Sequence, residues 1–143
     1  MTMMNLARHI ISVANENDLT ITNLQLQKVM YFSIQNALTE GTLSREVIED
    51  EYDEPFLVWR YGPVVQDVYE KYSKFGSSPI IENTTLDNRL SNMDDVIIDL
   101  LRENTFRLVQ RSHEEEFWKN HENDIIGWRS NIPYELNNIQ NNN

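Results

Sequence analysis

The 143-residue chain contains no cysteine. That excludes a disulfide framework, thiolate metal ligation and thiol nucleophiles. Glycine and proline are scarce, four of each. No two glycines stand together, so the Gly-rich loops that cradle phosphate at a helix N-terminus are missing. Basic residues are also few: 12 Lys+Arg face 23 Asp+Glu, a formal net charge of -11. Such a balance repels nucleic acid and anionic membranes at long range and steers in basic proteins. Lys and Arg form no cluster that would reverse this locally. No apolar run approaches the roughly 18 residues of a membrane-spanning helix. Met1 to His9 lacks the charged-then-apolar layout of a secretion signal. The expectation is a cytoplasmic protein with neither nucleic-acid nor membrane partners. The length suits one domain, able to bury roughly two-thirds of the surface its unfolded chain exposes.

What the chain does have is concentrated between Pro55 and Gly76. Phe56 to Tyr61 is aromatic, β-prone and nearly continuous in apolar character, which predicts a short buried strand. Gly62 permits a sharp turn. Pro63 has its torsion preset for the first turn of a helix, and Val64, Val65, Val68, Tyr69, Tyr72 and Phe75 would line one face of it. Gly76 falls where a left-handed C-cap glycine belongs. Ile80-Ile81 can add a brief edge strand. The reading is a mainly α, compact helical domain with a small β-sheet or hairpin around residues 56-61 and 80-81.

The strongest start signal lies earlier. Thr22-Asn23-Leu24-Gln25 is a capping box, with Ile21 and Leu26 as its hydrophobic staple. The helix that follows is apolar on most sides and closes at Gly41, so it should be central. Lys28 inside it needs water at its tip or a carboxylate partner, and the simplest reading is a snorkelling side chain. A preceding helix runs from Leu6 to Ala14, with His9 at the edge of its stripe. Ser44 to Glu54 holds six acids and reads as a solvated segment. Asn92 or Ser91, Thr105, Ser112 and Pro133 are expected to open later helices. Residues 1-136 form the domain, and the Asn-rich 137-143 a frayed tail.

Chemistry is thin. The three histidines are scattered. His113 and His121 flank Glu114 to Glu116, but His-Glu-x-x-His spacing is absent. No catalytic residue, cofactor or metal is expected. Trp59, Tyr61, Tyr69, Tyr72 and Phe75 lack the interleaved basic residues of a base-stacking platform and suit a core instead.

Three stretches taken together resemble the Panacea domain, the SocA-like antitoxin family of bacteria and their mobile elements. They are Thr22-Asn23-Leu24-Gln25-Leu26-Gln27-Lys28-Val29-Met30-Tyr31-Phe32, then Val58-Trp59-Arg60-Tyr61-Gly62-Pro63-Val64-Val65-Gln66-Asp67-Val68-Tyr69 running on to Gly76, and Ser112-His113-Glu114-Glu115-Glu116-Phe117-Trp118. Gln66 replaces a common second proline and Ser112 a usual threonine. The resemblance spans about Leu6 to Trp118 and implies a helical fold with a small sheet and no enzyme activity. It implies neutralisation of a toxin protein, encoded by an adjacent gene, through direct binding, with a Clp-type protease as a further partner if the protein acts as an adaptor. Thr22, Leu24, Gln27, Lys28, Tyr31, Phe32, Trp59, Tyr61, Gly62, Pro63, Val64, Tyr69, Gly76, His113 and Trp118 would then be scaffold. Tyr52, Arg60 and Trp128 are the candidate partner contacts, chosen for expected exposure. Alternative readings are a mobile-element inhibitor of a host defence protein and a metal-dependent hydrolase.

Overall fold

The computed structural model describes residues 2–141. Among them are eight α-helices and one two-stranded antiparallel hairpin. α1 (Met3–Glu16) starts where Thr2 Oγ1 accepts the Asn5 N–H at 3.0 Å. α2 (Asn23–Glu40) has both halves of its capping box: Thr22 Oγ1 accepts from Gln25 N, and Gln25 Oε1 from Thr22 N. Gly41 ends it in the left-handed conformation at φ 70°. α2 is the axis of the molecule, packed by α1, α3 (Arg45–Glu51), α5 (Asp94–Arg102), α6 (Thr105–His113) and α8 (Leu136–Gln140). Its run from Leu26 to Ile34 is buried without interruption, polar residues included.

The hairpin departs from expectation. Its strands are β1 (Leu57–Trp59) and β2 (Gly62–Val64), with Leu57 opposite Val64, Val58 opposite Pro63 and Trp59 opposite Gly62. Gly62-Pro63 therefore opens a strand, not a helix. Both hydrogen-bonding groups of Val58 point outward: its N–H donates to Ile132 O at 2.9 Å, and its carbonyl accepts from Ser130 Oγ at 2.5 Å. Val58 and Pro63 are thus a non-hydrogen-bonded pair, where a missing N–H costs nothing. The helix waits until α4 (Gln66–Tyr72), which runs into a 3₁₀ turn, Ser73–Phe75. Gly76 has positive φ but ψ -127°, so it is not a left-handed helix cap. Ile80 makes one bond, N–H to Ile21 O at 2.8 Å, and 80-81 joins no strand.

Other boundaries shift for identifiable reasons. His9 is buried, not peripheral: the Asp87 N–H donates to Nδ1 at 2.9 Å, leaving Nε2 to carry the proton toward Asp94 at 2.7 Å. The acidic Ser44–Glu54 segment folds as α3 and buries Glu51, one turn from the buried Ile48. A 3₁₀ turn, Asn88–Met93, capped by Asp87, leads into α5, so neither Ser91 nor Asn92 caps it. Asn104 caps α6 by accepting from Phe106 and Arg107 N–H, which displaces Thr105 into the helix. Ser112 lies inside α6, and the next helix, α7, is Glu116–His121. Pro133 bridges to Leu57 and opens no helix. Residues Asn137 to Gln140 are helical, with Ile139 buried and Arg45 bonded to Asn137 and Gln140 at 3.0 Å each. Asn142 and Asn143 of the expected frayed tail lie outside the described residues. No helix among the described residues is long and apolar enough to cross a membrane.

Candidate functional site

A two-stranded hairpin leaves most of its outer hydrogen-bonding groups to other partners. Here side chains from distant elements take them. Trp118 Nε1 donates to Trp59 O at 2.9 Å, and His113 Nε2 to Arg60 O at 2.7 Å. Lys28 Nζ donates to Pro63 O at 2.8 Å, and Val65 N–H to Gln27 Oε1 at 2.9 Å. His113 stacks on Trp118 with ring centroids 3.9 Å apart. Burial holds the His113 imidazole below its ordinary value, and the nearby Lys28 charge pushes the same way. The motif residues Gln27, Lys28, His113 and Trp118 thus clamp the hairpin from below.

Lys28 does not snorkel. It is fully buried, and desolvation pulls its ammonium from 10.5 down to about 7. Gly62 closes over it at φ 103°, with no room for a side chain: an added Cβ would collide with Ser112 Oγ and sit 3.0 Å from Lys28 Cε. A lysine beside a serine suggests a base and its nucleophile, but the Ser112 proton is committed to Val109 O at 2.7 Å. Both side chains are fully buried. Among the described residues, no group of three or more His, Cys, Asp or Glu could hold a metal ion.

Above this frame lies an aromatic face. Two clefts, of about 270 and 540 Å³, share Leu24, Tyr61 and Tyr69. Trp59, Val64 and Trp128 extend the first; Phe106 borders the second. Among the described residues five large apolar side chains are exposed, and three of them, Tyr61 (57%), Phe106 (69%) and Trp128 (57%), line these clefts. Ile126, at 88% exposure, stands in the same tight turn as Trp128. That turn is pinned to the hairpin by Arg60 N–H to Trp128 O at 2.8 Å and by Arg60 Nε to Gly127 O at 2.7 Å. The Arg129 guanidinium lies 4.6 Å from the Trp59 ring centroid and 5.9 Å from that of Trp128. Residues 126–134 also cover the outer edge of β1 through the bonds of Val58 and Arg60 and through Tyr134 N–H to Phe56 O.

Of the three candidate partner contacts, the structure brings Arg60 and Trp128 together on this face. Tyr52 is elsewhere and only partly exposed. Its hydroxyl donates to Tyr134 O at 2.6 Å and accepts from Phe56 N–H at 2.9 Å, which ties it to the core. Phe106, Ile126 and Arg129 join this face without being partner candidates in the sequence, where Ile126, like Trp128, reads as a late core residue; the tight turn at Ile126–Arg129 leaves both side chains exposed instead. For Phe106 a signal existed: Leu108, Val109 and Ser112 define the buried stripe of α6, and position 106 falls well outside it at helical spacing. No family model, curated protein or solved structure matches this chain.

Proposed function

We propose that this protein is a non-enzymatic, antitoxin-like neutraliser that works by binding a toxin protein directly through its aromatic face. The observation that carries this reading is the display of Tyr61, Phe106 and Trp128 along two clefts that share Tyr61, next to the turn that carries Ile126 and Arg129 and is bonded to Arg60. Exposed apolar side chains gathered around a cleft, not scattered singly, mark interaction sites. Tryptophan, tyrosine and arginine are the residues that most often anchor them. The hairpin beneath is held by side-chain bonds from Gln27, Lys28, His113 and Trp118, which limits the ordering cost of association. Neutralisation needs roughly nanomolar affinity, about 12 kcal/mol, and so about 800 Å² from each partner. The resemblance of the Thr22–Phe32, Val58–Tyr69 and Ser112–Trp118 stretches to the SocA-like family points to a toxin as that partner.

The test is co-expression with the adjacent gene. Expression of the neighbour alone should arrest growth, this protein should restore it, and the two should copurify. A harmless neighbour, or a toxic one that stays toxic and uncomplexed, would remove the reading.

A further inference from the structure

The two clefts carry an unexpected charge pattern. Although 23 of the 143 residues are acidic, no Asp or Glu lines either cleft. Two arginines stand next to the first cleft: Arg129 lies near two of its rings, Trp59 and Trp128, and Arg60 holds the turn that carries Trp128. Both are exposed, and neither has a carboxylate within ion-pair distance among the described residues. The Arg129 guanidinium carbon lies 4.6 Å from the Trp59 ring centroid, and Arg60 Nε donates to Gly127 O, so both guanidiniums already have a protein contact before any partner arrives. Arg107, beside Phe106, is already paired with Glu103 at 3.5 Å.

Building on the neutraliser reading, we propose that the partner inserts an acidic linear segment here. An aromatic or large aliphatic side chain fills the cleft between Tyr61 and Trp128, and flanking Asp or Glu residues pair with Arg60 and Arg129. Net charge argues for a basic partner at long range, but charges more than about 8 Å away are largely screened at physiological salt. In contact, the two guanidiniums decide. A guanidinium stacked on an aromatic ring keeps its donors free for carboxylate. A strand-addition mode is closed, because residues 126–134 cover β1 and the Gln27 and Lys28 side chains occupy the groups of Val65 and Pro63. A nucleic acid would also meet aromatics and arginine, but its phosphates add a regular array of like charge against a protein of -11.

The experiment is peptide display selection on the purified full chain, followed by fluorescence anisotropy with selected peptides and with the oligonucleotide dT12. Selected peptides should carry Trp, Phe or Leu flanked by Asp or Glu. Reversing both charges (R60E with R129E) should weaken them about tenfold or more, and the neutral pair R60Q with R129Q should fall between. Reversing Arg8, exposed on α1, should change nothing. Unchanged circular dichroism shows that each variant is folded. Recovery of basic peptides, of no common apolar anchor or of no peptides at all overturns the proposal, as does indifference to the Arg60 and Arg129 reversals or preferential binding of dT12. Growth rescue by co-expression that persists alongside such a failure leaves the neutraliser reading standing and assigns the partner a folded surface instead.

Discussion

Replacing Lys28 with methionine should change the pH dependence of stability more than its magnitude at any single pH. Lys28 is fully buried, its one bond runs to Pro63 O, and its ammonium is pulled from 10.5 down to about 7. Because the folded value is depressed, the unfolded chain binds more protons between about pH 7 and 10.5, and stability attributable to this group rises with pH across that window. Below about 7 both states hold the proton and the full desolvation cost is present. The span of 3.5 pH units corresponds to about 4–5 kcal/mol, or about 1.4 kcal/mol per unit near its middle. Lys28→Met removes this slope but strands the Pro63 carbonyl, at a cost of about 1–3 kcal/mol. The variant should therefore match or exceed the parent at pH 6 and lose ground to it steadily from pH 7.5 to 9.5. Urea denaturation of both proteins across that range measures the difference, which also cancels the opposing contribution of buried tyrosines such as Tyr52 and Tyr72, pushed up by burial. A flat difference would refute the reasoning, because it would mean that Lys28 keeps the same proton affinity folded and unfolded.

Three further outcomes are expected. Gly62→Ala combines a left-handed backbone with a Cβ driven into Ser112 and Lys28, and thermal unfolding should show a loss of about 2–4 kcal/mol. Glu51 is buried, its carboxyl oxygens meet no donor at full hydrogen-bond geometry among the described residues, and burial raises it to about 7 against a weaker opposing pull from the Asn5 side chain. A raised folded value makes stability fall as pH climbs from about 4.5 to 7, so Glu51→Gln should gain on the parent between pH 5 and pH 8 in the same urea assay. Thr22→Ala removes the cap of α2 and should cost about 1 kcal/mol, read by thermal unfolding.

The sequence was most legible where a signal is local and self-contained. The Thr22–Gln25 box and Gly41 bracket α2 as expected because each satisfies backbone groups within a few residues. Gly62-Pro63 misled because a preset proline torsion suits a helix start and equally a non-hydrogen-bonded strand position. The choice was made by Lys28 and Gln27, thirty-odd residues away, which hold Pro63 O and Val65 N. Glu51 looked solvated because its neighbours are acidic, yet it shares the inward side of α3 with Ile48. The candidate site was half legible. Arg60 and Trp128 were identifiable as exposed anchors, but their junction depends on the turn at Ile126–Arg129 folding back on the hairpin. No short-range pattern encodes that.

The most direct test is the affinity of the purified protein for the product of the adjacent gene, measured by titration calorimetry with and without Trp128→Ala. Trp128 is 57% exposed, so its loss should leave the fold intact. A dissociation constant in the nanomolar range that weakens about 30- to 1,000-fold in the variant is the predicted result. Equal affinity for both proteins, or heat from turnover of a small molecule in place of saturable binding, would contradict the account.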